Sequence, residues 1–259
     1  MPSSSNAPSP ANRIIRAIRR RLQLRYRKLA GFRQEFQQFE KLSGPAPRFP
    51  LDWQQRYPCL EEATAETDFD PHYIYHPAWA ARQLAADPPK VHIDISSSLT
   101  FCSIVSAFIP VEFYDFRPAP LKLSGLHCGS ADLTALSFET DSIASLSCMH
   151  VIEHIGLGRY GDAPDPEGDL KAMKELTRVL APGGKLLFVT PVGRPVLRFN
   201  AHRIYSFEQI CAAFGELKLQ SFALLPDDFH QGLIEGASAE LVAQQSYGCG
   251  CFCFTKAVD

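Results

Sequence analysis

From Val91 onward, short apolar runs alternate with stretches of helical period, and the alternation predicts a sheet flanked by helices. VHIDI (91–95) and VEFYD (111–115) read as short buried strands, each with an acid near or at its end. Between them LTFCSIVSAF (99–108) reads as an apolar helix. A third strand is expected near Leu126–Cys128 and a fourth over SIASLSCM (142–149). DLKAMKELTRVLA (169–181) has helix period, with Asp169 near its start and Lys174 and Arg178 further along. PGG (182–184) is expected to stop it before a fifth strand, KLLFVTP (185–191). SFEQICAAF (206–214) predicts a helix capped by Ser206. LKLQSFALL (217–225) and YGCGCFCFTK (247–256) read as two closing strands. Such alternation means an α/β domain with a mainly parallel sheet and right-handed crossovers. Ligands of such sheets bind beyond the carboxyl ends of the strands.

The first 90 residues have a different texture. Residues 1–12 are rich in Ser, Pro and Asn and are expected to be a disordered tail. Over 13–42, Ile15, Ile18, Leu22, Tyr26, Leu29, Phe32, Phe36 and Phe39 recur every three or four residues, which predicts an amphipathic helix. Residues 43–90 are rich in proline, so long regular elements are not expected there. Trp53, Tyr57, Phe69, Tyr73, Tyr75 and Trp79 imply that this connector packs on the body formed by 91–259.

Charge divides the chain in the same place. The first 33 residues hold nine basic residues and no acid. The remainder holds 17 basic and 28 acidic residues, a balance of -11. The helix over 13–42 is thus a basic arm that fits an anionic membrane surface or docks on its own domain. Nucleic acid is disfavoured as a partner, because the acidic remainder would repel phosphate. No apolar run is long enough to cross a bilayer and no signal-like core opens the chain, so a cytoplasmic protein, with peripheral membrane attachment left open, is expected. The eight cysteines lack CxxC spacing. Cys249, Cys251 and Cys253 alternate as thiols on one face of a strand, with a soft-metal site the other reading.

Three acids close successive strands. Asp94 ends the first and Asp115 the second, where a carboxylate commonly binds a ribose. Asp132, in GSAD, follows the third and is placed to receive an adenine amino group. The turn after Asp94, SSSLTF, has no glycine. Ser96 and Ser97 offer N–H and hydroxyl donors but not the close backbone approach that a pyrophosphate needs, which argues against a dinucleotide. Phe101 and Phe116 are the side chains placed to plug this hollow if it binds nothing.

DSIASLSCMHVIEHI (141–155), followed by LKAMKELTRVLAPGGKLLFVTPV (170–192), resembles the second half of class I S-adenosylmethionine-dependent methyltransferases. The run containing EHIGLGRYGD (153–162), with FNAHR (199–203), is similar to a family described only as a domain of unknown function with a methyltransferase-like fold. The resemblance covers about Val91 to Lys256 and is strongest over 141–210. It implies a Rossmann-like, mainly parallel seven-stranded sheet with an antiparallel last strand. It also implies S-adenosylmethionine as cofactor, framed by Asp94, Ser96, Ser97, Asp115 and Asp132, with Met149 and His150 beside the sulfonium. Ser96 stands where such families usually have glycine.

His150, Glu153 and His154 form H-x-x-E-H, and His202 lies downstream. This is similar to the E-x-x-E-H and distant His that bind a divalent metal in small-RNA methyltransferases, with His150 in place of the first acid. Two readings stand. In one, His150, Glu153, His154 and His202 hold a borderline divalent metal that orients an acceptor hydroxyl. In the other, His150 and His154 are hydrogen-bonding residues or a general base. Arg159 and Arg203 are candidates to hold an anionic substrate group, with an Arg159–Asp162 pair as the plain alternative. The function expected is methyl transfer to a small molecule or glycan. The rival is a methyltransferase-like scaffold that has lost its cofactor.

Overall fold

The computed structural model describes residues 10–258, with side chains from Arg19, and it falls into two compact units, residues 1–68 and 69–259. The expected tail at 1–12 lies mostly outside the described residues. In the first unit, α1 (Pro10–Ser43) is followed by a short 3-10 turn at Trp53–Gln55. Trp53 packs against Phe32 and Phe36 at ring distances of 5.8 and 5.1 Å, and Lys28 pairs with Glu61 at 2.5 Å. The chain after α1 therefore folds back onto the helix's own apolar stripe. Leu22, Tyr26, Leu29 and Phe39 of that stripe remain exposed. Among the described residues, no helix is long and apolar enough to cross a membrane.

The second unit begins with a helix that the prolines conceal. In α2 (Pro71–Ala86), Pro71 sits in the first turn, where its missing N–H costs nothing, and Asp70 caps by accepting the Tyr73 N–H. Pro77 lies inside the helix, a position that costs about 3 kcal/mol in isolation. Burial of Trp79, Ala80 and Leu84 on one face offsets it, at roughly 2–3 kcal/mol for each large side chain. The expectation of an irregular connector over 43–90 is thus corrected for its second half.

The predicted strands and helices follow in order, joined by a small hairpin, a short edge strand and a short helix that the sequence pattern did not indicate. They are β1 (His92–Ile95), α3 (Leu99–Val105), β2 (Val111–Asp115), β3 (Leu126–Ser130), β4 (Ile143–Met149), α4 (Gly168–Val179) and β5 (Leu180–Val192). A small hairpin, β6 (Val196–Arg198) with β7 (His202–Ile204), comes next. Then come α5 (Phe207–Ala213), β8 (Lys218–Leu225), β9 (Ile234–Glu235), α6 (Ala239–Ala243) and β10 (Gly248–Thr255). Ser206 and Gln209 form a reciprocal capping box at α5. PGG does not separate α4 from a later strand. Residues 181–184 bulge out within β5, between the pairs Ile143–Leu180 and Ser145–Lys185, and Gly183 takes φ +73°.

The sheet order is β3-β2-β1-β4-β5-β10-β8-β9. β1 to β5 pair in parallel, and β10 inserts antiparallel between β5 and β8. The sheet has eight strands rather than the seven expected, because β9 adds a two-residue antiparallel edge. β10 shows why its sequence alternates. Cys249, Cys251 and Cys253 face α2 and α3, whereas Phe252 and Phe254 face α4 and α5. The thiols are free, and all three are buried.

Candidate active site

β1 turns two polar side chains, His92 and Asp94, toward one face and Ile93 and Ile95 toward the other. Both polar groups are fully buried and joined through Ser147. The chain runs Ser145 Oγ–His92 Nδ1 (2.8 Å), His92 Nε2–Ser147 Oγ (2.8 Å) and Ser147 Oγ to Asp94. Asp94 also accepts the Ser97 N–H at 3.0 Å. It therefore lies behind the turn and fixes its shape, rather than lining the cleft as the resemblance implied.

Burial pushes the Asp94 carboxyl up to about 6, against hydrogen bonds from Ser147 and Ser97 that lower it. Burial holds His92 down at about 4, so the ring is neutral. An unfolded aspartate ionises near pH 4, so between about pH 4 and 6 the folded chain keeps a proton that the unfolded chain has lost. This contribution is complete below that window and is lost as the pH rises through 6, on the order of 3 kcal/mol. Asp94→Asn should remove that slope. Urea midpoints of both proteins, measured across the window, check it. Parallel profiles would contradict the assignment.

The turn itself keeps a glycine-like shape without glycine. Ser96 has φ +59°, in the left-handed region, and its N–H donates to the Tyr114 carbonyl at 2.8 Å. Ser97 Oγ accepts the Met149 N–H at 3.0 Å, tying the turn to the end of β4. Ser98 caps α3.

Beyond the carboxyl ends of β1, β2, β3 and β4 lies a cleft of about 540 Å³, within the range of small-molecule sites. Ser96, Ser97, Asp115, Asp132, Met149 and His150 line it. Asp115 spends one oxygen on the Arg117 N–H (2.7 Å), and Asp132 Oδ1 takes both the N–H and the hydroxyl of Thr134. Phe101 is buried in the core and Phe116 stands exposed at the rim, so neither plugs the hollow.

The loop 156–162 forms another wall. Asp162 accepts N–H groups from Gly156, Gly158 and Tyr160, and this holds its carboxyl below the usual range against the opposing effect of burial. Asp162 is thus engaged with its own loop. Arg159 instead reaches the Ala201 carbonyl and lies over the Tyr160 ring, so the alternative Arg159–Asp162 pair does not form. Arg203 is buried against Asp169 (3.4 Å) and donates to the Ile155 carbonyl (2.7 Å), which makes it a structural strap and not an anion holder.

The expected metal set does not close as one cluster: His150 and His154 both approach Glu153, but the four do not offer ligand atoms within metal-ligand reach of one another. His150, held at φ +56°, turns Nδ1 to Glu153 (2.8 Å) and Nε2 to the Cys249 sulfur (3.4 Å). His154 Nδ1 donates to the Ala201 carbonyl at 2.6 Å, and its Nε2 lies 3.8 Å from Glu153. His202 packs on Tyr247, outside the cleft lining, and its buried Nε2 has no hydrogen-bond partner among the described residues. Among the described residues, the His, Cys or acid groups drawn within metal-ligand reach are His72, His150 and Cys249. Burial alone would lower His150, but it is raised overall. Burial drives the Cys249 thiol well up, while the contacts of His150 with Cys249 and then Glu153 raise the imidazole against its own burial. Burial opposes ionisation of Glu153, yet the His150 hydrogen bond brings its carboxyl below the ordinary value.

Sequence reasoning missed His72, Tyr73 and His76, which α2 brings against His150 at ring distances of 5.2, 5.6 and 4.9 Å. The signal was present as H-x-x-x-H, one helical turn, within a segment read as irregular.

The family model for a Caenorhabditis protein of unknown function, DUF268, matches residues 132–218. No curated protein matches the chain. Among solved structures, a Haloferax volcanii protein assigned as a methyltransferase, in complex with the Trm112 activator, shares 16% identity, with 73% of this chain and 91% of that one covered at a TM-score of 0.50. The N-methyltransferase NodS of Bradyrhizobium japonicum, solved with S-adenosyl-L-homocysteine, shares 15% identity over 76% and 94% of the two chains, also at 0.50. The fold is that of the class I S-adenosylmethionine-dependent methyltransferases. The [4+2]-cyclase SpnF, at 14% identity, 73% and 82% coverage and a TM-score of 0.50, is similar too, so the methyltransferase fold does not by itself name the reaction.

Proposed function

We propose that this chain binds S-adenosylmethionine in the cleft and methylates a hydroxyl of a small molecule or glycan. The observation that carries the reading is Ser96 at φ +59°: the turn preserves, with serine, the backbone that glycine would supply. An αL residue other than Gly, Asn or Asp costs about 1–2 kcal/mol, and such strain persists where the surroundings hold it. Here Asp94, Tyr114 and the end of β4 hold it. The bound cofactor would present an electrophilic methyl carbon to the acceptor.

The chain's own residues would do the rest. Asp115 would accept from the ribose at the edge of the cleft, and Asp132 would face the base. His154 has Nδ1–H tied to Ala201, which leaves the Nε2 lone pair to take the acceptor proton as the O–CH3 bond forms. His150 is occupied at both ring nitrogens and serves the wall, not the proton. Positioning supplies most of the rate in such an in-line displacement.

Calorimetry with S-adenosylhomocysteine tests the cofactor part. The wild-type chain should bind, and Asp115→Asn should bind about 10–100-fold more weakly, as expected for loss of a charged hydrogen bond of 1.5–3 kcal/mol. No heat from the wild type at about 1 mM ligand, some 4 kcal/mol of affinity, would favour the cofactor-free scaffold instead.

A further inference from the structure

We propose that His72, His150 and Cys249 form a binding site for a borderline divalent metal of the zinc type, wedged between α2 and the sheet. The three come from α2, the end of β4 and the start of β10, and one ligand atom from each lies within 4.8 Å of the others. His150 Nε2 and Cys249 Sγ are 3.4 Å apart. Tetrahedral zinc, with bonds of about 2.05 Å to nitrogen and 2.3 Å to sulfur, holds such a pair about 3.6 Å apart. That pair is therefore already near the spacing of two ligands on one ion.

The surroundings of the three are those of a metal site. Ligating imidazoles usually give their second nitrogen to a carboxylate or carbonyl, which fixes the tautomer. His150 gives Nδ1 to Glu153 at 2.8 Å. The Tyr247 ring stacks on His72 at 4.9 Å. Beside them, His76 gives Nδ1 to the His72 carbonyl at 2.6 Å. Its Nε2 is fully buried, with no hydrogen-bond partner among the described residues. The charges balance as well. One thiolate and the Glu153 carboxylate would offset a divalent ion in a buried place. A thiolate with imidazoles selects zinc-like metals over magnesium or calcium. The ion would also pin α2, and with it Tyr73, against the cleft.

This inference does not depend on the methyltransferase reading, and its test uses no activity. The full chain, stripped of metal and titrated with Co2+, should show a near-ultraviolet sulfur-to-cobalt charge-transfer band saturating at one ion per chain. Purified after growth with zinc, it should retain about one zinc by elemental analysis, as structural sites do. His72→Gln and Cys249→Ser should each weaken retention more than about tenfold, since losing even an outer partner of a ligand costs about 10–100-fold, and Cys249→Ser should also lose the band. Cys59→Ser, which removes the exposed thiol, should change neither readout. Absence of the band in the wild-type chain overturns the site whatever the variants do. So does a Cys249→Ser protein that keeps full zinc and an unchanged cobalt spectrum.

Discussion

Replacing His154 with alanine is expected to lower the rate of methyl transfer about 10²–10³-fold while leaving S-adenosylhomocysteine affinity within about threefold. The reason is geometric. Nδ1 of His154 is committed as a donor to Ala201, so Nε2 is the basic nitrogen, and the side chain lines the cleft. Glu153, 3.8 Å from Nε2, is placed to stabilise the imidazolium once it forms. The neighbouring His150 cannot substitute, since Glu153 and Cys249 occupy its two nitrogens. Release of labelled product from methyl-labelled cofactor measures the rate, and calorimetry measures the affinity. A His154→Ala enzyme with wild-type turnover would remove His154 as the base.

Gly156→Ala is expected to destabilise the chain by about 3–4 kcal/mol, with Tm falling roughly 8–12 °C. Gly156 has φ +76°, and a Cβ built on it would land inside the Asp165 carbonyl. Two effects add: the left-handed backbone disfavours any side chain, and the close carbonyl leaves no room for one. The carbonyl cannot retreat easily, because the Asp165 N–H donates to the Gly156 carbonyl at 2.9 Å and the Gly156 N–H to Asp162 at 2.8 Å. Gly158 separates the two effects. Its φ is +69°, but the nearest atom to its Cβ is 3.7 Å away, so Gly158→Ala should cost only the backbone part, about 1–2 kcal/mol. Thermal melts of the two variants check the contrast, and equal losses would mean that crowding at Asp165 contributes nothing.

Much of the second unit could be read from period alone. The strands β1, β2, β4, β8 and β10 carry dense apolar or alternating runs, and α4 and α5 carry clean helical stripes with ordinary end signals. Where reading failed, a local rule was overridden by packing. Pro71 and Pro77 argued against a helix, but burial of Trp79 and Leu84 outweighed the one internal proline. β9 is two residues long and exists only because β8 offers it an edge. Residues 181–184 look like a stop, yet β4 and the rest of β5 accommodate them as a bulge.

The candidate site divides in the same manner. Position in the chain was enough to place Asp115, Asp132, Met149 and His154 at strand ends and hence at one cleft, because a parallel sheet brings those ends together. Position could not say which way a side chain turns. Asp94 faces inward because strand alternation puts it beside His92, and the buried serines satisfy it there. His150, with its left-handed backbone, sets its ring between Glu153 of the expected metal set and Cys249, which lies far off in the sequence. Element order and the address of the cleft were thus legible in local pattern. The partners of each polar group emerged only on folding, since hydrogen bonding and ligation join residues such as His72, His150 and Cys249 that lie far apart along the chain and meet only in the packed α2–sheet interface.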